Sequence, residues 1–103
     1  MAATGRRPVL ALASYRTIPR VHHVYIVCCA DGSLYTGYAK DPKARERTHN
    51  AGRGAKYTAG RRPVQLVYAE GFRSLSAALK REHQLKRWTR QKKQTLISAA
   101  SSG

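Results

Sequence analysis

The stretch His22 to Tyr38, reading HHVYIVCC, ADG, SLYTGY, limits what this chain can become more than any other segment. β-branched and aromatic residues flank Asp31-Gly32, the strongest short-range signal for a β-hairpin. Register then decides the faces. A two-residue turn at Asp31-Gly32 sets Tyr25 and Tyr35 on opposite faces. A three-residue or bulged turn over Ala30 to Gly32 sets them on one face, diagonally adjacent, with Gly37 opposite Tyr25. That register also gathers Val24, Ile26, Cys28, Leu34 and Tyr38 on the other face, a cleaner apolar side. It is the register expected here.

Downstream, Asp41-Pro42 reads as an N-cap and first helical position, opening a short helix to about Asn50. Only Ala44 is plainly apolar between Lys43 and Asn50, a thin basis for burial. AGRGAKYTAGRRP, from Ala51 to Pro63, reads as a glycine-rich basic loop, and Pro63 to Glu70 as a third strand. Ser74 or Ser76 caps a helix through Leu75, Leu79, Glu82 and Leu85 to about Arg87. Trp88 to Ala99 forms a last one. The expected class is α/β in the α+β sense: a three-stranded antiparallel sheet flanked by about three helices, order β-β-α-β-α-α. Residues 1–20 carry Arg6, Arg7, Arg16 and Arg20 with no acid, and are expected as a basic extension outside the fold. Their composition suits an organelle transit segment loosely and a nucleic-acid-grazing arm as well, while VLALA is too short for a signal peptide. Residues 21–98 form the domain, and 99–103 a loose tail.

Charge narrows the partners. Twenty Lys and Arg against five Asp and Glu give +15 on 103 residues, which points to a polyanion, with nucleic acid first. A hydrophobic fraction of 42% and six tyrosines argue against a disordered polybasic tail. No apolar run approaches the roughly 20 residues that span a bilayer, so a membrane is not an expected partner. Adjacent Cys28 and Cys29 cannot frame a disulfide-stapled domain, and as neighbours on a strand they point to opposite faces, which ill suits a zinc site with His22 and His23. They read as strand filling in a reducing compartment.

Among the five acids, Asp31 sits in a turn, Asp41 caps a helix, Glu46 lies between Arg45 and Arg47, and Glu70 ends a strand. Glu82 stands apart. Between Arg73 and Lys93 there are eight Lys and Arg and this one acid. On a helical wheel it falls between Leu79 and Ala78 and close to Leu75, towards the core side. An inward carboxylate under a cationic surface is paired or binds a metal. Lys86, four residues on, offers an ordinary ion pair. On the residues alone both readings stay open.

From His22 to about Leu96 the chain resembles the GIY-YIG nuclease superfamily, in particular its small stand-alone bacterial proteins. The two name-giving motifs are similar to His23-Val24-Tyr25 and Tyr35-Thr36-Gly37, ten residues apart tyrosine to tyrosine. Arg45 stands where the family has its helix arginine, His49 one turn later, and Glu82 matches the family's metal-binding glutamate. His23 replaces the glycine of the first motif. Pro42 and Glu46 occupy positions where the family tends to have leucine, so the helix carrying Arg45 is expected to dock loosely. Gln94 is the nearest match to a polar residue the family often carries on its last helix.

The resemblance implies a metal-dependent nuclease, and its residues suit that chemistry. Phosphodiester hydrolysis needs an activated water, a cation at the phosphate and stabilisation of the leaving oxygen. Magnesium, or manganese, is content with one or two carboxylates plus substrate phosphate, so Glu82 can suffice as the metal ligand. Tyr25 would accept the proton of the attacking water, with nearby cations and the +15 field favouring its phenolate. Arg45 would hold the phosphate, Tyr35 would position phosphate or water, and His49 would relay a proton. Arg53, Lys56, Tyr57 and Lys86 would track the nucleic acid, the cations on its backbone and Tyr57 beneath an unpaired base. With no room for a second DNA-reading module, little sequence specificity is expected, on single-stranded, branched or damaged DNA in repair or recombination, with RNA not excluded. The expected state is a monomer or weak dimer, cytoplasmic and nucleoid-associated. Two other readings stand beside it: a non-catalytic nucleic-acid-binding protein, associated with DNA or with ribosomal RNA, and a scaffold in a repair complex.

Overall fold

The sheet is built outward from its middle strand. The structure, a computed structural model, describes residues 19–102. The expected basic extension therefore lies outside the described residues as far as residue 18, while Arg20 reaches Gly71 O with Nη1 at 3.4 Å. Strand β1 (His22–Cys28) is buried on both faces from Val24 to Val27 and pairs antiparallel with β2 (Leu34–Ala39) and β3 (Gln65–Phe72), in the order β2-β1-β3. The hairpin has the three-residue turn. Cys29 N–H donates to Ser33 O at 2.8 Å, Gly32 N–H donates to Cys29 O at 2.9 Å, and Gly32 takes a φ of 85°, which costs glycine nothing. The register follows, Tyr25 opposite Gly37 and Val27 opposite Tyr35.

One face of the sheet collects Tyr25, Val27, Cys29 and Ala39 with Val64, Tyr35 and Leu66. Against it lie α1 (Pro42–Asn50) and the single-turn helix α2 (Lys56–Ala59), which replaces part of the expected open loop. The other face carries Val24, Tyr38 and Phe72 under Ala78 and Leu85 of α3 (Leu75–Lys86), with Trp88 and with Leu96 of α4 (Arg90–Ser102). Among the described residues the fold is α+β, a three-stranded antiparallel sheet with four helices, one of a single turn.

Several local expectations shift. α1 begins as read, Asp41 accepting from Ala44 N at 3.1 Å with Pro42 in the first turn, but it does not dock loosely. Glu46 accepts from Leu66 N at 2.6 Å, and the Asn50 side chain exchanges two hydrogen bonds with Val64, 2.7 Å from its N–H and 2.9 Å to its carbonyl. Polar groups thus hold the helix to β3 where apolar ones are scarce. β3 starts and ends two residues later than expected. α4 continues through Ser102, where a loose tail was expected from residue 99, because Ala99 and Ala100 favour helix and Ser101 Oγ donates back to Ile97 O at 3.0 Å. On α3 the inward residues are Ala78 and Leu85, whereas Leu75 and Leu79, taken as core-side on the wheel, are 46% and 42% exposed.

Candidate active site

Where α1, the loop before α2 and the Tyr25 face of the sheet meet, a cleft of about 510 Å³ opens, lined by Tyr25, Tyr35, Arg45, His49, Arg53 and Gly54 among others. Its floor is a buried chain of hydrogen bonds. Tyr25, 1% exposed, lies 2.7 Å by its hydroxyl from His49 Nε2; His49 Nδ1 lies 2.7 Å from Thr58 Oγ1; and Thr58 Oγ1 donates to Ala55 O at 2.9 Å. Two glycines make room for the rings. A Cβ at Gly37 would stand 2.5 Å from the Tyr25 hydroxyl oxygen, and one at Gly54 2.1 Å from His49 Nδ1. Each backbone segment lies flush against a ring, so the pair has one place to sit.

The electrostatics differ from the expected pattern. Burial, foremost, and the neighbouring Tyr35 push the Tyr25 phenol up to about 12, and the charge of Glu82 adds to the rise; the Arg45 guanidinium pulls the other way and loses. Desolvation outweighs the cationic field, so Tyr25 is a phenol rather than a phenolate near neutrality. His49 is held below the ordinary histidine value, first by burial and then by Arg45. It is therefore neutral, with one ring nitrogen free to accept a hydrogen bond.

Around the rim, Arg45 donates from Nη1 to Tyr38 O at 3.3 Å, which keeps its guanidinium beside the Tyr25 hydroxyl. Tyr35 meets the His49 ring edge-on at 5.5 Å and stacks on Tyr57 at 5.8 Å and 22°. Arg61 caps the outer face of Tyr57, its guanidinium 3.9 Å from the ring centroid, and is tied to Asp31 Oδ2 at 3.2 Å and Tyr57 O at 2.8 Å. Tyr57, 40% exposed, thus carries two stacking contacts. Lys86 Nζ stands 6.0 Å from the Tyr35 ring centroid, so the end of α3 reaches past β2, the outer strand, towards the cleft.

Glu82 lies on the inward stripe of α3 between Ala78 and Leu85, its side chain 19% exposed, and pairs with Lys86 at 3.3 Å. The ion pair read from the sequence is there, and so is the field of Glu82 at Tyr25. Among the described residues no group of three or more His, Cys, Asp or Glu side chains is placed to hold a metal ion. One carboxylate fits a magnesium-type ion that keeps its waters and is completed by substrate phosphate. Glu82 would hold such an ion in place of the Lys86 ammonium it pairs with here. Gln94 is exposed, while its neighbour Lys93 is buried, 8% exposed, and held below the usual lysine value by burial and by Lys86.

Tyr25, Tyr35, Arg45, His49 and Arg53 converge on the cleft, and Glu82 acts on Tyr25 through its charge. Tyr57 and Lys86 stand at its rim against Tyr35, and Lys56 is exposed at the start of α2. Sequence reasoning missed Thr58, Gly54 and Arg61. Thr58 follows Lys56-Tyr57 in a segment read as open loop, and only the turn of α2 brings its hydroxyl to the imidazole.

A family model described as the GIY-YIG catalytic domain matches residues 21–95. A UPF0213 protein of Staphylococcus aureus is 64% identical over 76 residues, covering 74% of this chain and 93% of that protein. Among solved structures, the NMR structure of the UPF0213 protein BH0048 from Bacillus halodurans matches with a TM-score of 0.50 at 46% identity, covering 76% of this chain and 83% of that one. The NMR structure of EF2693 from E. faecalis matches with a TM-score of 0.55 at 40% identity, covering 80% and 88%.

Proposed function

We propose a function from one premise: this chain belongs to the GIY-YIG family. It is a divalent-metal-dependent endonuclease that hydrolyses DNA phosphodiester bonds with little sequence preference, on single-stranded, branched or damaged strands met in repair or recombination. The observation that carries this is the buried chain Tyr25–His49–Thr58, which ends in a neutral imidazole beneath an arginine-lined cleft. A buried tyrosine hydroxyl needs a hydrogen-bond partner in any case. An imidazole with a free lone pair is a partner that can also take its proton.

In this reading Tyr25 takes a proton from the attacking water as its own proton moves to His49, so no free phenolate has to form. Arg45 holds the phosphate with donors not spent on Tyr38 O and stabilises the charge that grows there. Tyr35, fixed between His49 and Tyr57, orients the phosphate. Glu82, together with the substrate phosphate, would hold a magnesium or manganese ion, which would supply Lewis-acid stabilisation of the departing oxygen. The stack Tyr35–Tyr57–Arg61 supports the choice of unpaired strands, because a guanidinium plane on an aromatic ladder receives a splayed base. Among the described residues no helix is long and apolar enough to cross a membrane. The reading further places the protein in the cytoplasm with the nucleoid, as a monomer or weak dimer.

The test compares wild type with Glu82→Ala on labelled single-stranded, flapped and duplex DNA, in magnesium, in manganese and in EDTA. Cleavage that needs both metal and Glu82 supports the proposal. Binding without cleavage under every condition transfers the case to a non-catalytic nucleic-acid-binding protein. Equal rates on perfect duplex and single strand refute the substrate preference.

A further inference from the structure

We propose that Thr58 is a positioning residue: its hydroxyl sets the tautomer of His49, and thereby makes His49 the group on which the proton taken by Tyr25 comes to rest. The inference rests on the nuclease reading for its chemistry and on the hydrogen-bond geometry alone for its structural half.

One assignment makes every short contact in this chain a hydrogen bond. Thr58 Oγ1 has a single proton and two near neighbours, Ala55 O at 2.9 Å and His49 Nδ1 at 2.7 Å. A carbonyl oxygen cannot donate, so both contacts are hydrogen bonds only when the hydroxyl proton points to Ala55 O. Thr58 Oγ1 must then accept, and His49 Nδ1 carries the N–H. A neutral imidazole has one N–H, so Nε2 bears the lone pair and faces the Tyr25 hydroxyl, 2.7 Å away, which donates to it. The whole chain is polarised in one direction, from Tyr25 through His49 and Thr58 to the Ala55 carbonyl. Water has no place as a substitute for Thr58, because Thr58 is fully buried and the Gly54 backbone closes the ring's other approach.

The step balances as follows. The attacking water's O–H bond breaks, its electron pair stays on oxygen, and that oxygen forms the new bond to phosphorus. Its proton joins the Tyr25 oxygen, and the Tyr25 proton forms an N–H bond at His49 Nε2, leaving an imidazolium that donates to both Tyr25 and Thr58. The bond from phosphorus to the leaving oxygen breaks with its pair, and that oxygen is protonated from solvent. His49 returns its proton to solvent after product leaves. With the other tautomer, Nε2–H would already be occupied and would donate to Tyr25, and no proton could pass inward. An orienting partner on the far nitrogen is what a histidine base requires.

The test uses the whole chain with Thr58→Val, which keeps the shape and removes the hydroxyl, and Thr58→Ser, which restores it. Two-bond proton–nitrogen NMR of the His49 ring in the metal-free, DNA-free protein reads the tautomer directly. Wild type and Thr58→Ser are expected in the Nδ1–H form, with Thr58→Val mixed or in the Nε2–H form. On a single-stranded oligonucleotide in magnesium, Thr58→Val is expected to lose at least about 100-fold in kcat, with KM within about threefold, and Thr58→Ser to keep most of the rate. An Nε2–H form in wild type overturns the proposal, as does a Thr58→Val chain with unchanged kcat. Should Thr58→Val fail to fold, the wild-type and Thr58→Ser tautomers still decide. A chain in the Nδ1–H form that cleaves nothing overturns the nuclease reading and leaves the assignment of Thr58 to His49 standing.

Discussion

Gly54→Ala is the sharpest single perturbation of this site. Gly54 does not need a left-handed backbone, since positive φ among the described glycines belongs to Gly32 and Gly52, so the substitution acts through contact alone. Its new Cβ would stand 2.1 Å from His49 Nδ1 and 2.8 Å from both Cγ and Cε1. Ordinary contact begins near 3.4 Å, so the ring must retreat by more than about 1 Å, in a core at close-packed density. A shift of that size takes both 2.7 Å hydrogen bonds of His49 beyond bonding range. Two buried bonds at about 1 kcal/mol net each, with about 1–3 kcal/mol for polar groups left stranded, give a loss of about 3–5 kcal/mol. For a chain of this size that lowers the melting temperature by about 10 °C or more. Urea unfolding followed by Trp88 fluorescence measures it. Gly60→Ala is the control in the same loop: at Gly60, with φ −91°, an added Cβ meets nothing within 4 Å, so the change should be neutral or stabilise by about 0.5 kcal/mol. If Gly54→Ala is as stable as Gly60→Ala, the imidazole does not sit where this account needs it.

Three further outcomes are expected. Tyr25→Phe strands the His49 Nε2 lone pair, lowers stability by about 1–3 kcal/mol and cuts cleavage at least about 100-fold, with oligonucleotide affinity unchanged in a fluorescence-anisotropy titration. Stability should fall on acidification. Folded His49 stays neutral below its ordinary 6.5 while the unfolded chain takes up the proton, so unfolding gains by up to about 1.4 kcal/mol per pH unit from 6.5 down to the folded value and no further. Urea midpoints at pH 7.5, 6.5 and 5.5 test this against His49→Gln, whose profile should lack that slope. Finally, Tyr57→Ala should weaken single-stranded binding by about 1–3 kcal/mol and duplex binding little, whereas Arg53→Ala should flatten the salt dependence by about one phosphate contact on either substrate. Equal losses on both substrates for Tyr57→Ala would remove the stacking platform from the account.

Much of the fold was legible because its signals are local. Asp31-Gly32 marks the turn, the apolar pattern of the flanking strands selects its three-residue form, and that register brings Tyr25, Tyr35 and Gly37 to one face. Asp41-Pro42 and Ser74 mark helix starts by capping chemistry. What was misread depended on partners far along the chain. α1 looked poorly anchored because its anchors are Glu46, His49 and Asn50, polar side chains whose partners Leu66, Tyr25 and Val64 lie 14 to 24 residues away. The wheel placed Glu82 on the inward side of α3 among Leu75, Leu79 and Ala78, of which Ala78 alone faces the sheet, together with Leu85. Hydrophobicity ranks residues; it does not say which flank of a stripe meets the core.

The same division runs through the site. Residue types and spacing alone determined a basic α+β domain with one glutamate set among cations, since a hairpin, a capped helix and an acid among cations are written in nearest neighbours; the resemblance to the GIY-YIG family supplied the rest of the candidate set. The sign of the Tyr25 shift, the neutrality of His49 and the part taken by Thr58 were decided only by the tertiary structure. The +15 charge acts from a solvated surface, where water and salt screen it. Burial acts at the atom itself, and how deeply an atom is buried is a property of the assembled fold.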